Sequence, residues 1–161
     1  MSESGAPRGP VLVPVDFSPA SEQAFLHAGE YARQVAAPLL VLHVMHDAGD
    51  APGAYRMEGE DGELLPMGDA AELLLERFAD RMQEIAPELV EAVQPEYRLA
   101  TGLPATRILE VAAHVDARLL VLGNRGAGGL SRLVMGSTAD RVLKDAPMPV
   151  TLVKAADDGP R

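Results

Sequence analysis

Short apolar runs alternate along the chain with longer segments whose apolar residues recur at helical spacing. Runs that are apolar at successive positions and bounded by turn residues are typical of strands buried on both faces of a parallel sheet. Four such runs are present, and a shorter and weaker one lies between the second and third. In chain order the five predicted strands are Val11–Val15, Leu39–Met45, Tyr97–Leu99, Leu119–Leu122 and Pro149–Val153.

Signals for the start and end of helices lie between these strands. Ser18 is a favoured N-cap residue and Pro19 suits the first helical position, so a helix is predicted to begin there. Asp69 and Glu72 have the spacing of a capping box, which predicts that a second helix begins at Asp69. The apolar stripe behind them stops at Pro87, which is predicted to close that helix.

Two further helices are predicted, one after Pro104 and one between Gly136 and Pro147. The resulting alternation of strands and helices predicts one α/β domain over residues 1–161. This domain has a five-stranded parallel, Rossmann-like sheet with helices on both faces. Ligands of such folds bind beyond the carboxyl ends of the strands, where the strand order reverses.

One segment, residues 47–68, departs from this regular alternation. It contains several glycines and prolines, and its six acidic residues and one arginine carry half of the net charge of −10. We predict a long acidic loop inserted into the domain. The ends, residues 1–9 and 155–161, are predicted to be flexible tails.

The composition excludes several classes of function. The acidic net charge gives no broad attraction to nucleic acid or to anionic membranes. No apolar run is long enough for a membrane span and the start of the chain lacks a signal-peptide pattern, so a cytoplasmic protein is expected. Cysteine is absent, which removes disulfides and thiol chemistry. No lysine follows a glycine, so a Walker phosphate loop is excluded.

The most informative stretch for chemistry is 123–142, GNRGAGGLSRLVMGSTADRV. A glycine-rich loop leaves a predicted strand and leads into a helix that opens at Gly136 and Ser137. Glycines permit positive φ and let backbone N–H groups approach an anion, and a helix N-terminus favours phosphate. Arg125 and Arg132 supply positive charge where lysine is missing. The stretch therefore predicts an anion or nucleotide site.

Structural interpretations compete with this one. The loop could connect strand and helix without binding anything, and Asp16 could cap the first helix rather than contact a ligand. His43 and His46 could be read as a metal pair, but their spacing in a strand sends them to opposite faces, so we favour a core or edge pair of histidines. No serine lies in a nucleophile elbow, which disfavours a hydrolase of that kind.

The spacing Gly-x2-Gly-x9-Gly-Ser resembles the signature of the universal stress protein family, in its nucleotide-binding branch. The likeness extends over nearly the whole chain: VLVPVDFS, LLVLHV, TGLPATRI, LLVLGNRG and PMPVTLV also match the family pattern. The resemblance implies a five-stranded parallel α/β fold, ATP bound at the strand ends, and a homodimer formed through the last strand.

The resemblance also assigns site residues by position. Those implied on the adenosine side are Pro14, Val15 and Asp16, with Val44 as a backbone contact to adenine. Those implied around the ribose and the phosphates are Leu122, Gly123, Arg125, Gly126, Gly136, Ser137 and Thr138. Those expected in the dimer interface are Val150, Leu152 and Val153.

Together these points predict a nucleotide-dependent regulatory or stress-response module rather than an efficient enzyme. No residue is an evident general base, so ATP hydrolysis is expected to be absent or slow. No metal site of the protein alone is expected, and Mg²⁺ would accompany the triphosphate. ATP would then bias binding to a protein partner that the sequence does not identify. The competing hypotheses are a genuine ATPase and a structural dimer with an empty loop.

Overall fold

The computed structural model describes residues 9–46, 57–125 and 135–155. The strands in these ranges are β1 (Val11–Pro14), β2 (Leu39–Met45), β3 (Glu96–Thr101), β4 (Leu119–Gly123) and β5 (Val150–Val153). The helices are α1 (Pro19–Val35), α2 (Met67–Ile85), α3 (Pro87–Val93), α4 (Pro104–His114) and α5 (Ser137–Asp145). The tails beyond residues 9 and 155 lie outside the described residues.

The strands form one parallel sheet in the order β3-β2-β1-β4-β5, which confirms the predicted α/β fold. In chain order, β2 and β3 are added on one side of β1, and β4 and β5 are then added on its other side. The direction of winding therefore reverses between β1 and β4. At this point the chain segments that leave the two strands diverge and open a crevice at the carboxyl edge of the sheet.

Helices cover both faces of the sheet, each over its own apolar layer. On one face, α1, α2 and α3 pack against the odd-numbered positions of β1, with Phe25 and Phe78 in ring contact at 5.8 Å between centroids. On the other face, α4 and α5 pack through Ile108 and Val142 against Leu12 and its neighbours. Because β1 and β2 are buried on both faces, they read as continuous apolar runs in the sequence.

The predicted start of α1 is confirmed in detail. Ser18 is the N-cap in an extended conformation, and its hydroxyl oxygen accepts a hydrogen bond from the Ser21 N–H at 3.2 Å. Pro19 occupies the first helical position, where its missing N–H costs nothing. The entry to α1 is thus fixed directly after β1, and this places the Asp16 turn at the carboxyl edge of the sheet.

The capping-box prediction at Asp69 is wrong, because α2 begins two residues earlier at Met67. Pro66 is the N-cap residue with ψ 146°, and its carbonyl accepts the first helical hydrogen bond from the Ala70 N–H at 3.0 Å. Asp69 lies instead within the first turn, where its negative charge still favours the positive end of the helix dipole.

Pro87 ends the preceding helix as predicted, but it also begins a helix that the sequence analysis missed. Pro87 takes the first position of α3, for which its fixed φ is suited. Leu89 of this short helix packs against Gly29 of α1, where a Cβ built on the glycine would lie 2.9 Å from the leucine side chain. The lack of a side chain at Gly29 lets α3 approach α1 closely.

Only residues 57–68 of the segment predicted as one long loop over 47–68 are described. Residues 57–65 form a small hairpin, in which the Gly59 N–H donates to the Glu63 carbonyl at 2.8 Å and the Leu65 N–H donates to the Met57 carbonyl at 2.8 Å. Gly62 supplies the positive φ of 78° that its turn requires. Residues 67 and 68 belong to α2, and 47–56 lie outside the described residues.

Gly123→Ala should lower the free energy of unfolding by about 1 kcal/mol, near the low end of overpacking effects. A Cβ at Gly123 would lie 2.8 Å from the Ala20 Cβ and 2.9 Å from its carbonyl carbon, so α1 and β4 would have to separate. Gly68→Ala is the matched control, because a Cβ there meets no atom within 4 Å beyond the adjacent backbone of its own helix. Urea unfolding of both variants checks the prediction, and equal stability of Gly123→Ala and wild type would contradict it.

Candidate functional site

A cavity of about 410 Å³ opens at the carboxyl edge of the sheet. Its walls come from the ends of β1, β2 and β4 and from the first turns of α4 and α5. This is the point where the strand order reverses, so the cavity lies where a parallel α/β sheet is expected to bind a ligand. Its volume falls within the range of pockets for small molecules.

The structure brings the predicted site residues together. Every predicted residue of the binding site that lies in the described part of the chain lines the cavity. These are Pro14, Val15, Asp16, Val44, Leu122, Gly123, Arg125, Gly136, Ser137 and Thr138. Gly126 lies outside the described residues. Whether these residues bind a nucleotide stays a prediction.

Further lining residues were not predicted from the sequence, and they are Ser21, Leu42, His43, Pro104, Ile108 and Ala139. Pro104 and Ile108 come from the first turns of α4, which follows the edge strand β3. The segment TGLPATRI was noted as part of the family pattern, but only the folded sheet shows that α4 reaches the cavity. His43 was predicted to be a core or edge residue. It lines the cavity because β1 ends close to it.

One end of the cavity is formed by the N-terminus of α5. Gly136 is the N-cap, no side chain caps this helix, and the helix runs from Ser137 to Asp145. The N–H groups of Ser137, Thr138 and Ala139 have no partner within an α-helix and belong to residues that line the cavity. Because Arg125 lines the same cavity and carries a positive charge, this end suits an anion.

One of the two reasons predicted for a glycine at position 136, a positive φ, is wrong. Its φ of −60° and ψ of 152° are open to any residue, so positive φ does not explain the glycine. Its N–H donates to the Asn124 carbonyl at 2.8 Å, which brings the chain leaving β4 against the start of α5. The other predicted reason, close approach of backbone N–H groups to an anion, stays a prediction.

Asp16 and Phe17 form a tight turn between β1 and α1. The Asp16 carboxylate accepts a hydrogen bond from the Ser18 N–H at 3.1 Å, so Asp16 supports the N-cap residue and also lines the cavity. Phe17 has φ 68°, a left-handed conformation that is strained for a bulky residue. The turn directs the chain away from β2 directly after Val15.

Much of the remaining cavity wall is apolar. Leu42, Ile108, Leu122 and Pro104 contribute to it. Val44 contributes backbone groups, because β1 ends at Pro14 and leaves the β1 side of Val44 without a strand. These apolar residues and the Val44 backbone groups together suit a flat apolar ring with polar groups at its edge.

His43 lies beside these backbone groups and is only 5% exposed. Its Nδ1 is 2.8 Å from the Val15 carbonyl oxygen, and because a carbonyl only accepts, Nδ1 carries the proton and donates it. Burial lowers the pKa of His43 below its ordinary value of 6.5, against smaller opposing effects of the Val15 hydrogen bond and the Asp16 charge. His46 contacts a different carbonyl, that of Gly102, at 3.4 Å.

The buried, neutral His43 should make stability depend on pH. In the unfolded chain this imidazole takes up a proton as the pH falls below 6.5. In the folded protein it takes up the proton only at a lower pH. The free energy of unfolding should therefore fall as the pH drops below 6.5, with a slope from this group of up to about 1.4 kcal/mol per pH unit. His43→Asn should lose this part of the slope. Urea unfolding of both proteins between pH 7.5 and 5.5 tests it, and identical slopes would contradict it.

Two searches of the described residues gave negative results. Across 9–46, 57–125 and 135–155, no three acidic or histidine side chains come together in a way that could hold a metal ion. In the same part of the chain, no helix has both the length and the apolar character needed to cross a membrane.

Comparisons with known proteins agree with the fold. The sequence model of the universal stress protein family matches residues 7–154. A universal stress protein of Mycolicibacterium smegmatis is 37% identical over 150 residues, which cover 91% of this chain and 46% of the relative. One of Thermus aquaticus is 31% identical over 144 residues, covering 89% of this chain and 97% of the relative. The chain thus spans about half the length of the first of these relatives and nearly all of the second.

Solved structures with this fold include the universal stress protein UspA of Lactobacillus plantarum, with a TM-score of 0.67 and 28% identity over 92% of this chain and 99% of that one. A universal stress protein in complex with cAMP has a TM-score of 0.64 at 24% identity, covering 92% of this chain and 98% of that one. One of Archaeoglobus fulgidus in complex with dAMP has a TM-score of 0.62 at 24% identity, covering 91% and 98%. The chain described here belongs to the universal stress protein family.

Proposed function

We propose that this chain binds ATP in the cavity at the carboxyl edge of the sheet and uses it as a regulatory ligand. The observation that carries the proposal is the cavity itself, because apolar residues and the anion-binding N-terminus of α5 line the same space. An adenine ring would occupy the end near Val44, and the phosphates would lie against the N-terminus of α5. The Asp16 carboxylate lines the same cavity and would accept hydrogen bonds from ribose hydroxyl groups.

Two other observations support an adenine nucleotide as the ligand class. Universal stress proteins with this fold have been solved in complex with cAMP and with dAMP. The cavity also offers anion contacts of two kinds, the amide N–H groups at Ser137 to Ala139 and the Arg125 side chain. We propose that Mg²⁺ enters with the triphosphate, since Asp16 is the only carboxylate among the described lining residues.

We propose further that ATP hydrolysis is absent or slow. Among the described residues of the cavity wall, Asp16 and His43 are the ones with a group that could accept a proton. Asp16 accepts the Ser18 N–H, and the Nδ1 proton of His43 is directed at the Val15 carbonyl. Neither lies in the first turn of α5, where the phosphates would bind. A ligand that is held but not consumed is suited to shift a conformational or partner-binding equilibrium.

The direct test begins with the purified wild-type protein. Mass spectrometry of small molecules released by heat should detect an adenine nucleotide, and calorimetry after its removal should show ATP binding that is tighter with Mg²⁺ present. A single-turnover assay with labelled ATP then separates a regulatory ligand from a substrate. Absence of ATP binding would leave the alternative of a structural dimer, and rapid single-turnover hydrolysis would favour a genuine ATPase.

A further inference from the structure

The hydrogen-bond ladder between β1 and β2 lacks one backbone hydrogen bond that a regular parallel ladder would contain at the carboxyl edge of the sheet. The Val15 N–H donates to the Leu42 carbonyl at 2.8 Å, which continues the ladder one residue beyond β1. In a regular parallel ladder the next bond would run from the Val44 N–H to the Val15 carbonyl. No such backbone hydrogen bond is formed within the described residues. The Val15 carbonyl instead accepts the proton on Nδ1 of His43, at 2.8 Å.

The backbone of Val44 therefore faces the cavity. Along a strand in a parallel sheet, successive residues direct their backbone groups to alternate neighbouring strands. The Met45 carbonyl bonds to the Gly102 N–H on the β3 side, so the N–H and C=O of Val44 point to the β1 side. Since β1 ends at Pro14, they point into the space that the cavity occupies.

The His43 ring is held in place from two directions. The Phe17 ring lies against it with 4.3 Å between centroids, and Phe78 of α2 contacts Phe17 in turn at 5.9 Å. The positive φ of Phe17 brings its side chain to this position. A buried ring with one neighbour on its face and its Nδ1 proton on a carbonyl has little freedom to rotate.

We propose that His43 is a positioning residue for nucleotide binding: it holds the Val15 carbonyl and so keeps the Val44 N–H available to the base of the ligand. This inference rests on the proposed function, since it concerns the same cavity. An N–H and a C=O on one residue match a base edge that presents a ring-nitrogen acceptor beside an exocyclic amino group, as adenine does. His43 thereby contributes to the choice of base without touching it.

The test compares ATP with UTP, which carries the same ribose and triphosphate on a base with a different edge. His43→Leu removes the donor but keeps an apolar side chain in the space, and His43→Asn retains a side-chain N–H near the position of Nδ1. We expect His43→Leu to lower ATP affinity about fivefold and UTP affinity less than twofold. His43→Asn should keep ATP affinity within twofold of wild type.

Equal loss of ATP and UTP affinity in His43→Leu would overturn the inference, because it would indicate general damage to the fold. Unchanged ATP affinity in that variant would overturn it as well, as would a failure of His43→Asn to retain binding.

If His43→Leu does not fold, amide hydrogen exchange of the wild-type protein tests the inference instead. Rapid exchange at Val44 without ligand and protection by ATP are expected, whereas slow exchange without ligand would show the N–H bonded to Val15. A wild type that binds no ATP but exchanges rapidly at Val44 would refute the proposed function and leave the description of the ladder intact.

Discussion

Gly136→Val is expected to lower the affinity for ATP at least ~10-fold, or about 1.4 kcal/mol, because it adds a branched side chain beside the anion-binding end of the cavity. Gly136 lines the cavity and is the N-cap of α5, directly before the residues whose N–H groups would meet the phosphates. Its φ and ψ are open to valine, so the backbone itself would not be strained. The loss should therefore come from reduced access for the phosphates and not from unfolding.

A control with the same change separates these causes. Gly68→Val adds the same side chain within the first turn of α2, where a Cβ meets no atom within 4 Å beyond the adjacent backbone of its own helix. Calorimetry of ATP binding, with urea unfolding of each variant, should show weakened binding only in Gly136→Val. Unchanged affinity in a folded Gly136→Val variant would refute the assignment of the α5 N-terminus to the phosphates.

The architecture was predictable because its main signals are local. β1 and β2 are apolar on both faces, as burial between two layers of helices requires. Ser18 and Pro19 fixed the start of α1 by capping chemistry alone. The alternation of these elements indicated a parallel sheet. Such sheets bind ligands beyond the carboxyl ends of their strands, and this rule gave the location of the cavity.

The errors arose where two physical signals compete. Pro87 both ends one helix and suits the first position of the next, and the sequence does not show which helix will follow. Asp69 satisfies a capping pattern, but the extended backbone at Pro66 begins α2 earlier. The signal at Asp69 was overridden by the backbone at Pro66, whereas at Pro87 both signals act and only one of them was recognised.

The role of His43 was beyond sequence reasoning for a different reason. As a histidine within an apolar strand it reads as a core residue, and it is indeed buried. Its bond to Val15 depends on β1 ending just there and on the left-handed turn at Phe17. The replacement of a backbone hydrogen bond by a side-chain hydrogen bond arises only in the assembled sheet, so no local sequence pattern predicts it.

The edge of the sheet at β5 makes a homodimer the expected assembly. The Leu120 N–H donates to the Pro149 carbonyl and the Asn124 N–H to the Val153 carbonyl, so alternate residues of β5 face β4. The N–H and C=O groups of Val150 and Leu152 therefore face away from β4, and no strand of the described residues pairs with them. Proteins seldom leave such an apolar edge uncovered.

A second copy related by a two-fold axis would cover both edges at once, through antiparallel pairing of β5 with itself. Val150 and Leu152 are only partly buried in the single chain, as is Val153 on the opposite face of the sheet. Leu143 of α5, which is 45% exposed, adds an apolar surface on the helix that precedes this strand. We therefore propose Val150, Leu152 and Val153 as the centre of the interface.

Leu152→Lys should raise the dissociation constant of the dimer at least ~100-fold, or about 2.7 kcal/mol, because each copy would bring an ammonium group to the seam. The two charges would lie close to the axis and repel each other, and the apolar contact of Leu152 would be lost. Leu64→Lys makes the same change at a side chain that is 57% exposed in the hairpin, and it should leave the dimer intact. Sedimentation velocity at micromolar concentrations, with urea unfolding to confirm that each variant is folded, measures the effect. A monomeric wild type would refute the proposed interface, and so would a Leu152→Lys variant that remains fully dimeric.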